Sequence, residues 1–188
     1  MNWTALVPLK TAAMRKSRLA ARLGPDARIA LSRALLGRLM EALHAVPRIT
    51  SIVLLADEAA YDPTVRWIED QGRGLNAELE AARDALDAGP LLVIHADLPL
   101  VGAADLEALL DAAKKAGNAI APDRHDTGTN ALALAGDSGI AFRFGADSFA
   151  RHRALVEGAA IVRRPGLALD CDTPGDLDLA IAGGFIVQ

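Results

Sequence analysis

Three carboxylates and one run of cationic side chains are the residues of this chain best suited to act together on a substrate. Asp97 closes the segment Leu91-Leu92-Val93-Ile94-His95-Ala96-Asp97, and Asp170 and Asp172 close Leu167-Ala168-Leu169-Asp170-Cys171-Asp172. Both segments are apolar runs that read as strands. A buried strand ending in a carboxylate delivers it to the open edge of a parallel sheet, where ligands bind in α/β proteins. Alternate side chains of an extended segment share a side, so Asp170 and Asp172 point together while Cys171 packs inward. Carboxylates gathered this way suit a hard cation such as Mg²⁺, which usually takes substrate phosphates as further ligands.

The cationic run follows the first strand. Lys10, Arg15, Lys16, Arg18 and Arg22 lie in a segment with no glycine before residue 24. A phosphate-gripping loop after a first strand is usually glycine-rich, so that backbone N–H groups approach the phosphates. Here side chains would supply that grip, and the plainer reading is a solvated basic loop. Asp97 is poorly placed to cap the next helix, because Pro99 and Gly102 intervene. Thr173, Pro174 and Asp176 make a good helix start, but that explanation leaves Asp170 without a role.

Two polar stretches complete the candidate site. Asp123 to Asn130 offers hydroxyls, an amide and Gly128 between two apolar strands, and Phe144-Gly145-Ala146-Asp147-Ser148 offers a glycine and a serine at a helix start. Either could surround a small anionic acid, and either also reads as a turn. His95 reads as a packed or hydrogen-bonded residue. His125 and His152 read as surface residues, and His44 as part of a helix.

These residues need elements to hold them. Residues 4–9 read as a first strand with Pro8 at its exit. A helix follows from about Ala27 to Ala45, with Leu31, Leu35, Leu39 and Leu43 forming its apolar stripe. Ser51–Ala56 is the next strand. The connection after it is punctuated by Asp62-Pro63 and Gly72-Arg73-Gly74. Asn76 reads as the N-cap of a helix through Leu86. Leu91–Ile94 is a strand, followed by a helix from about Ala104 to Ala116. Short strands are expected at 119–121, 131–134, 160–163 and 167–169. A helix is expected near Phe149–Val156, and a last one opens at Thr173-Pro174. Strands alternating with helices predict an α/β fold, with a parallel sheet that becomes mixed after residue 118.

The 188 residues fit a single domain, 52% hydrophobic and 23% charged, with enough apolar surface for a compact core. A net charge of −4 argues against general nucleic-acid binding. The lone cysteine excludes an intrachain disulfide and a cysteine-cluster zinc site, and suits a reducing compartment. Met1-Asn2-Trp3-Thr4 lacks signal-peptide character, and no apolar stretch approaches a membrane span. A soluble cytoplasmic protein with no membrane partner is expected.

In order and spacing these motifs resemble one family over nearly the whole chain. It is the guanylyltransferase family of deazaflavin coenzyme F-420 biosynthesis, a relative of the molybdenum-cofactor nucleotidyltransferases. The matching features are Val7-Pro8-Leu9-Lys10, Lys16-Ser17-Arg18-Leu19, Gly74-Leu75-Asn76 and Ala96-Asp97-Leu98-Pro99. The stretch Asp123 to Leu132, the loop Phe144 to Phe149 and the finish Asp170 to Leu177 match as well. The resemblance implies a Rossmann-like, nucleotide-diphospho-sugar-transferase-like fold in one domain. Residues 1–118 would form the GTP half, and residues 119–188 the acceptor half with the second set of metal ligands.

It also implies transfer of GMP from GTP to a phosphorylated three-carbon acid, with pyrophosphate released. The acid would be 3-phospho-D-glycerate, phosphoenolpyruvate or 2-phospho-L-lactate. Asp97, Asp170 and Asp172 would hold Mg²⁺, and Lys10, Lys16 and Arg18 would face the GTP phosphates. Lys10, Gly74, Asn76 and Asp97 would meet the nucleotide, and Thr129, Gly145 and Ser148 the acceptor. Oligomeric state stays open, a homodimer among the arrangements. Departures from the family pattern are Ala146, Cys171 and Asp126, the last standing where glycine is common.

Other readings use the same residues differently. A molybdopterin or sugar-phosphate nucleotidyltransferase shares the fold, but the molybdopterin enzymes should carry a glycine-rich first loop. A metal-dependent glycosyltransferase could use Asp170-Cys171-Asp172 as its D-x-D motif. A nucleotide sensor would bind GTP without pyrophosphate release.

Overall fold

The structure is a computed structural model describing residues 1–9, 16–58, 62–136 and 139–186. Its centre is β1 (Trp3–Pro8), an apolar strand with Ala5, Leu6 and Val7 fully buried. On one side β1 pairs in parallel with β2 (Ile49–Ala56), and β2 pairs in parallel with β3 (Arg66–Glu69). On the other side β1 pairs in parallel with β4 (Leu91–Ile94). Next come β6 (Thr129–Leu134), β5 (Asn118–Pro122) and β7 (Ala160–Ile161), giving the order β3-β2-β1-β4-β6-β5-β7. Strand β6 is antiparallel to both neighbours, and β5 and β7 are parallel. One mixed, mostly parallel sheet therefore spans the chain.

Both faces of the sheet are covered, which is why its strands read as apolar runs rather than alternations. On one face Trp3, Val7, Leu54, Leu92 and Ile94 pack against α1 (Pro25–His44) and α3 (Ala103–Ala116). On the other, Leu6, Val53, Val93, Ile120 and Leu132 meet Leu79 of α2 (Leu75–Asp84) and three phenylalanines. Two of these, Phe142 and Phe144, lie in the loop before α4 (Ser148–Leu155), and the third, Phe149, is on α4. A third cluster decides the site. Leu31 and Leu35 of α1 pack with Leu19, Leu169, Cys171 and Leu177 of the closing helix α6 (Pro174–Ala182). Burying Leu19 fully stabilises by roughly 1.5–3 kcal/mol. That anchor draws the described end of the basic connection, around Leu19, and the acidic finish onto one patch of α1.

Most expected elements are present with small boundary shifts, but three readings need correction. Strand β3 falls in a stretch expected to be only a connection. It is an edge strand, mostly exposed and carrying Arg66 and Glu69, so no apolar run marks it. Residues 167–169 are not a strand, because α5 (Pro165–Ala168) occupies that place. Pro165 starts α5, and a Cβ on Gly166 would strike the Asp105 carboxylate and the Leu100 carbonyl oxygen. Asn76 is not an N-cap: Gly74, at φ 95°, holds that position, and Asn76 lies in the first turn of α2. The expected strand at 160–163 shortens to β7. Among the described residues no helix is long and apolar enough to cross a membrane.

Candidate active site

The chain leaves β1 toward β2 on one side and reaches β4 on the other. The carboxyl ends of β1 and β4 therefore border the crevice where such sheets bind ligands. Strand β4 ends at Ile94, and two backbone bonds fix the segment beyond it. His95 N–H donates to the Asn130 carbonyl at 3.0 Å, and Cys171 N–H donates to the Asp97 carbonyl at 3.0 Å. The second bond ties the two acidic motifs together. Cys171 is fully buried in the third cluster, and burial pushes its thiol up to about 11. It is an anchor between Asp170 and Asp172, both partly exposed.

A lysine fills the space between the motifs. The Lys16 ammonium lies 2.9 Å from Asp97 Oδ2 and 3.2 Å from Asp172 Oδ1, with its side chain 8% exposed. Lys16 has φ 54° and sits just before a short 3-10 turn over Ser17–Leu19. The turn closes through Leu19 N–H to the Lys16 carbonyl, at 3.0 Å. Burial works against the lysine's charge, but the pull of Asp97 and then Asp172 prevails, so its pKa is raised. Arg18 is exposed, 3.7 Å from Asp172 Oδ2. Lys10 lies outside the described residues.

Asp170 feels the opposite balance. Burial and then the negative charge of Asp97 push its pKa up to about 6. Among the described residues no three His, Cys, Asp or Glu side chains yet form a metal-holding group. The donor set nonetheless fits a hard cation. Asp97 and Asp172 already reach one cationic atom at hydrogen-bonding distance, and Asp170 is crowded by negative charge.

Sequence reasoning gave Asp176 only a helix-dipole role, and the structure gives it more. Its Oδ2 accepts from Asp172 N–H at 3.0 Å and from Thr173 N–H at 2.7 Å, while Thr173 Oγ1 accepts from Asp176 N–H. Arg124 of the polar stretch meets the other oxygen at 2.5 Å. Burial opposes ionisation, but these bonds outweigh it and lower the pKa. Asp176 thus pins the backbone that presents Asp172. The Thr-x-x-Asp spacing of a capping box was the available signal.

Across the crevice, Thr129, Gly145 and Ser148 come together. Thr129 N–H donates to Ser148 Oγ at 2.8 Å, and Ser148 N–H donates to the Gly145 carbonyl at 3.2 Å. Gly145 has φ 113°, a backbone conformation that favours glycine. Asp126 has φ 55°, which accounts for the glycine common at that position. His152 corrects the expectation of a surface residue. It is fully buried on the inner face of α4, bonded to Thr129 Oγ1 and to the Arg143 amide. His95 packs against Phe144 with ring centroids 5.2 Å apart, and His125 is exposed as expected.

Asn76 is tied to this second region, and Gly74 starts the helix that carries it. Asn76 Nδ2 donates to the Phe144 carbonyl at 3.1 Å, and Phe144 N–H donates to Asn76 Oδ1 at 2.8 Å. Nearby, buried Glu78 accepts from the amides of Gln71 and Arg73 and pairs with the Arg73 guanidinium. That bonding shapes the loop leading into Gly74.

A mixed, mostly parallel sheet with its switch point between β1 and β4, and with carboxylates and a cationic side chain along its carboxyl edge, is a framework suited to nucleotidyl transfer. Solved structures share the fold. A candidate nucleotide-diphospho-sugar transferase from Desulfovibrio desulfuricans superposes with a TM-score of 0.74 at 18% identity, covering 95% of this chain and 86% of that one. The 4-diphosphocytidyl-2C-methyl-D-erythritol synthase of Anaerococcus prevotii gives 0.66 at 15% identity, covering 96% and 95%.

Sequence narrows the class. Residues 3–181 match the family described as "Guanylyl transferase CofC like", and the chain belongs to that family. The protein named phosphoenolpyruvate guanylyltransferase in Sphaerobacter thermophilus is 41% identical, with 95% of this chain and 92% of that protein aligned. Its namesake in Rubrobacter xylanophilus is 38% identical, over 99% and 97%. The chain is therefore a nucleotidyltransferase of the guanylyltransferase kind.

Proposed function

We propose that this enzyme transfers GMP from GTP to phosphoenolpyruvate in the biosynthesis of deazaflavin coenzyme F-420. A phosphate oxygen of the acceptor attacks the α-phosphorus of GTP in line. A new P–O bond forms, the bond to the β-phosphate bridging oxygen breaks, and pyrophosphate leaves with that electron pair. The attacking phosphate is already ionised near neutral pH, so no side-chain nucleophile is required. The obstacle is repulsion between two anions.

The observation that carries this reading is the Lys16 ammonium held between Asp97 and Asp172. It marks a point where carboxylates from two distant motifs share one positive charge beside the crevice. Asp97, Asp170 and Asp172 are the residues that would hold Mg²⁺. Bound there, Mg²⁺ would supply charge that offsets the repulsion between the two phosphates and stabilises the leaving pyrophosphate. Lys10, Lys16 and Arg18 neutralise the GTP phosphates. Gly74 and Asn76 border the nucleoside, and Thr129, Gly145 and Ser148 receive the acceptor. The names of the relatives from Sphaerobacter and Rubrobacter support phosphoenolpyruvate over the other two acids.

The test is pyrophosphate release from GTP and Mg²⁺ with phosphoenolpyruvate, 3-phospho-D-glycerate or 2-phospho-L-lactate in parallel, the product identified by mass. Turnover with phosphoenolpyruvate is expected. Turnover only with another acid would keep the reaction and replace the acceptor. Folded protein that binds GTP but turns over with none would be a nucleotide sensor.

A further inference from the structure

A hydroxyl group can donate or accept, and nothing in the sequence says which Thr129 does. Its environment decides. The Arg143 backbone N–H donates to His152 Nε2 at 3.1 Å. A backbone amide can only donate, so that ring nitrogen carries no proton. The ring must then hold its proton on Nδ1, which lies 2.9 Å from Thr129 Oγ1. His152 is therefore the donor in that bond and the Thr129 oxygen the acceptor. Burial keeps the imidazole neutral, holding its pKa down to about 4, with His95 and Arg143 adding repulsion. The proton of the Thr129 hydroxyl is unused in this bond. Ser148 is in a similar position: its oxygen accepts from Thr129 N–H at 2.8 Å, leaving its own proton to be given elsewhere.

We propose that His152 is a positioning residue for the acceptor: it makes the Thr129 hydroxyl a donor that, with the Ser148 hydroxyl, receives the carboxylate of the phospho-acid. The idea rests on the acceptor reading above. A carboxylate only accepts, so two hydroxyls committed to donation match it, and both residues are buried where water competes little. Phe144 stacks edge-on against His152 with centroids 4.7 Å apart, which holds the ring plane.

A merely structural His152 would serve only to pin the Arg143 amide. Two variants separate the roles. In His152→Asn the amide stands near Nδ1 and can still donate to Thr129 while losing Arg143. In His152→Gln it reaches toward Nε2 and can accept from Arg143 while losing Thr129. With melting temperature confirming folding, His152→Gln should raise the acceptor KM about 10-fold with the GTP KM unchanged. His152→Asn should raise it less. On a Thr129→Val background the two variants should become equivalent, since the group they act through is gone. A larger loss in His152→Asn, a parallel rise in the GTP KM, or a full His152→Gln effect on Thr129→Val would each overturn the proposal.

A second readout needs no turnover. Imidazole nitrogen NMR of the wild-type protein near neutral pH should show His152 protonated on Nδ1 and bare on Nε2. The opposite tautomer would overturn the proposal whatever the kinetics. Absence of turnover by the wild-type protein with all three acids would instead strike the acceptor reading on which the carboxylate rests.

Discussion

The two sides of the crevice are built on different physics. At the ends of β4 and before α6, two carboxylates and a lysine meet across sequence separations of 81 and 156 residues, with Asp170 close enough to feel the charge of Asp97. At β6 and α4, neutral hydroxyls, a neutral histidine and backbone amides meet across 19 and 23 residues. Among the described residues, the first region is a set of carboxylates partly balanced by the buried Lys16 ammonium, with exposed Arg18 3.7 Å from Asp172. It can change state when another cation arrives. The second is a set of hydrogen bonds whose directions are already chosen. A site that must handle a polyphosphate and a metal needs the adaptable kind, and one that must orient a small acid needs the fixed kind.

Breaking the charged side should have the largest effect. Asp97→Asn keeps the size of the side chain but removes a carboxylate that Lys16 and Asp170 both sense. Turnover should fall by more than about 100-fold, beyond the range typical of residues that only support metal ligands. The melting temperature should stay within about 3 °C of wild type, because relief of repulsion at Asp170 offsets the lost pairing. A variant keeping a tenth of the wild-type rate would remove Asp97 from the site.

Lys16→Ala should cost about 10-fold to 100-fold in turnover, on the scale of losses at groups supporting a metal site. Its sharper signature is in stability. With the ammonium gone, Asp97 and Asp172 face one another without their shared cation, and Mg²⁺ should take its place. Mg²⁺ should therefore raise the melting temperature of Lys16→Ala more than that of wild type, where it competes with Lys16. Equal shifts in the two proteins would mean that lysine and metal do not share a place.

The hydrogen-bonded side gives a pH signature instead. The imidazole of His152 ionises near 6.5 when unfolded and near 4 when folded. The unfolded chain binds the proton more readily between those values, so stability rises with pH across that window. The contribution is complete above about 6.5 and is lost as pH falls through about 4. Asp170, pushed up to about 6, stabilises the fold as pH drops over much of the same window, so the readout is the difference: from pH 7 down to 4 the denaturation midpoint of wild type should fall relative to that of His152→Gln. Parallel curves would show that the histidine is not held neutral.

How much of this was legible beforehand depends on the range of the forces involved. The apolar runs of β1, β2 and β4 declared themselves because both faces of the sheet are covered, and Asp97 followed from where β4 ends. Cys171 pointing inward followed from its being a small apolar residue between two carboxylates. Strand β3 did not, since an exposed edge strand has no apolar signature. The brief Leu167-Ala168-Leu169 pattern suggested a strand because three residues carry no helical period, and the start at Pro165 outweighed it. Burial of His152 was hidden for a related reason. Helix α4 has eight residues, too few for a clear stripe, and its partners lie in a loop and on another strand. Lys16 bridging Asp97 and Asp172 exists only because Leu19 and Cys171 share a core cluster.

Asn76 is where the two sides of the comparison meet. Family resemblance places it with the nucleotide, yet its amide oxygen and one N–H are committed to Phe144, 68 residues away. The Phe144 ring lies between His95, two residues before Asp97, and His152, which contacts Thr129. Loosening Phe144 should therefore be felt first on the acceptor side. Asn76→Ala should raise the acceptor KM about 3-fold to 10-fold, as for loss of one or two buried hydrogen bonds. The GTP KM should rise less than the acceptor KM, since only the second amide hydrogen is left for the nucleoside. The reverse pattern would mean that the free amide hydrogen, facing the nucleoside, matters more than the clamp on Phe144.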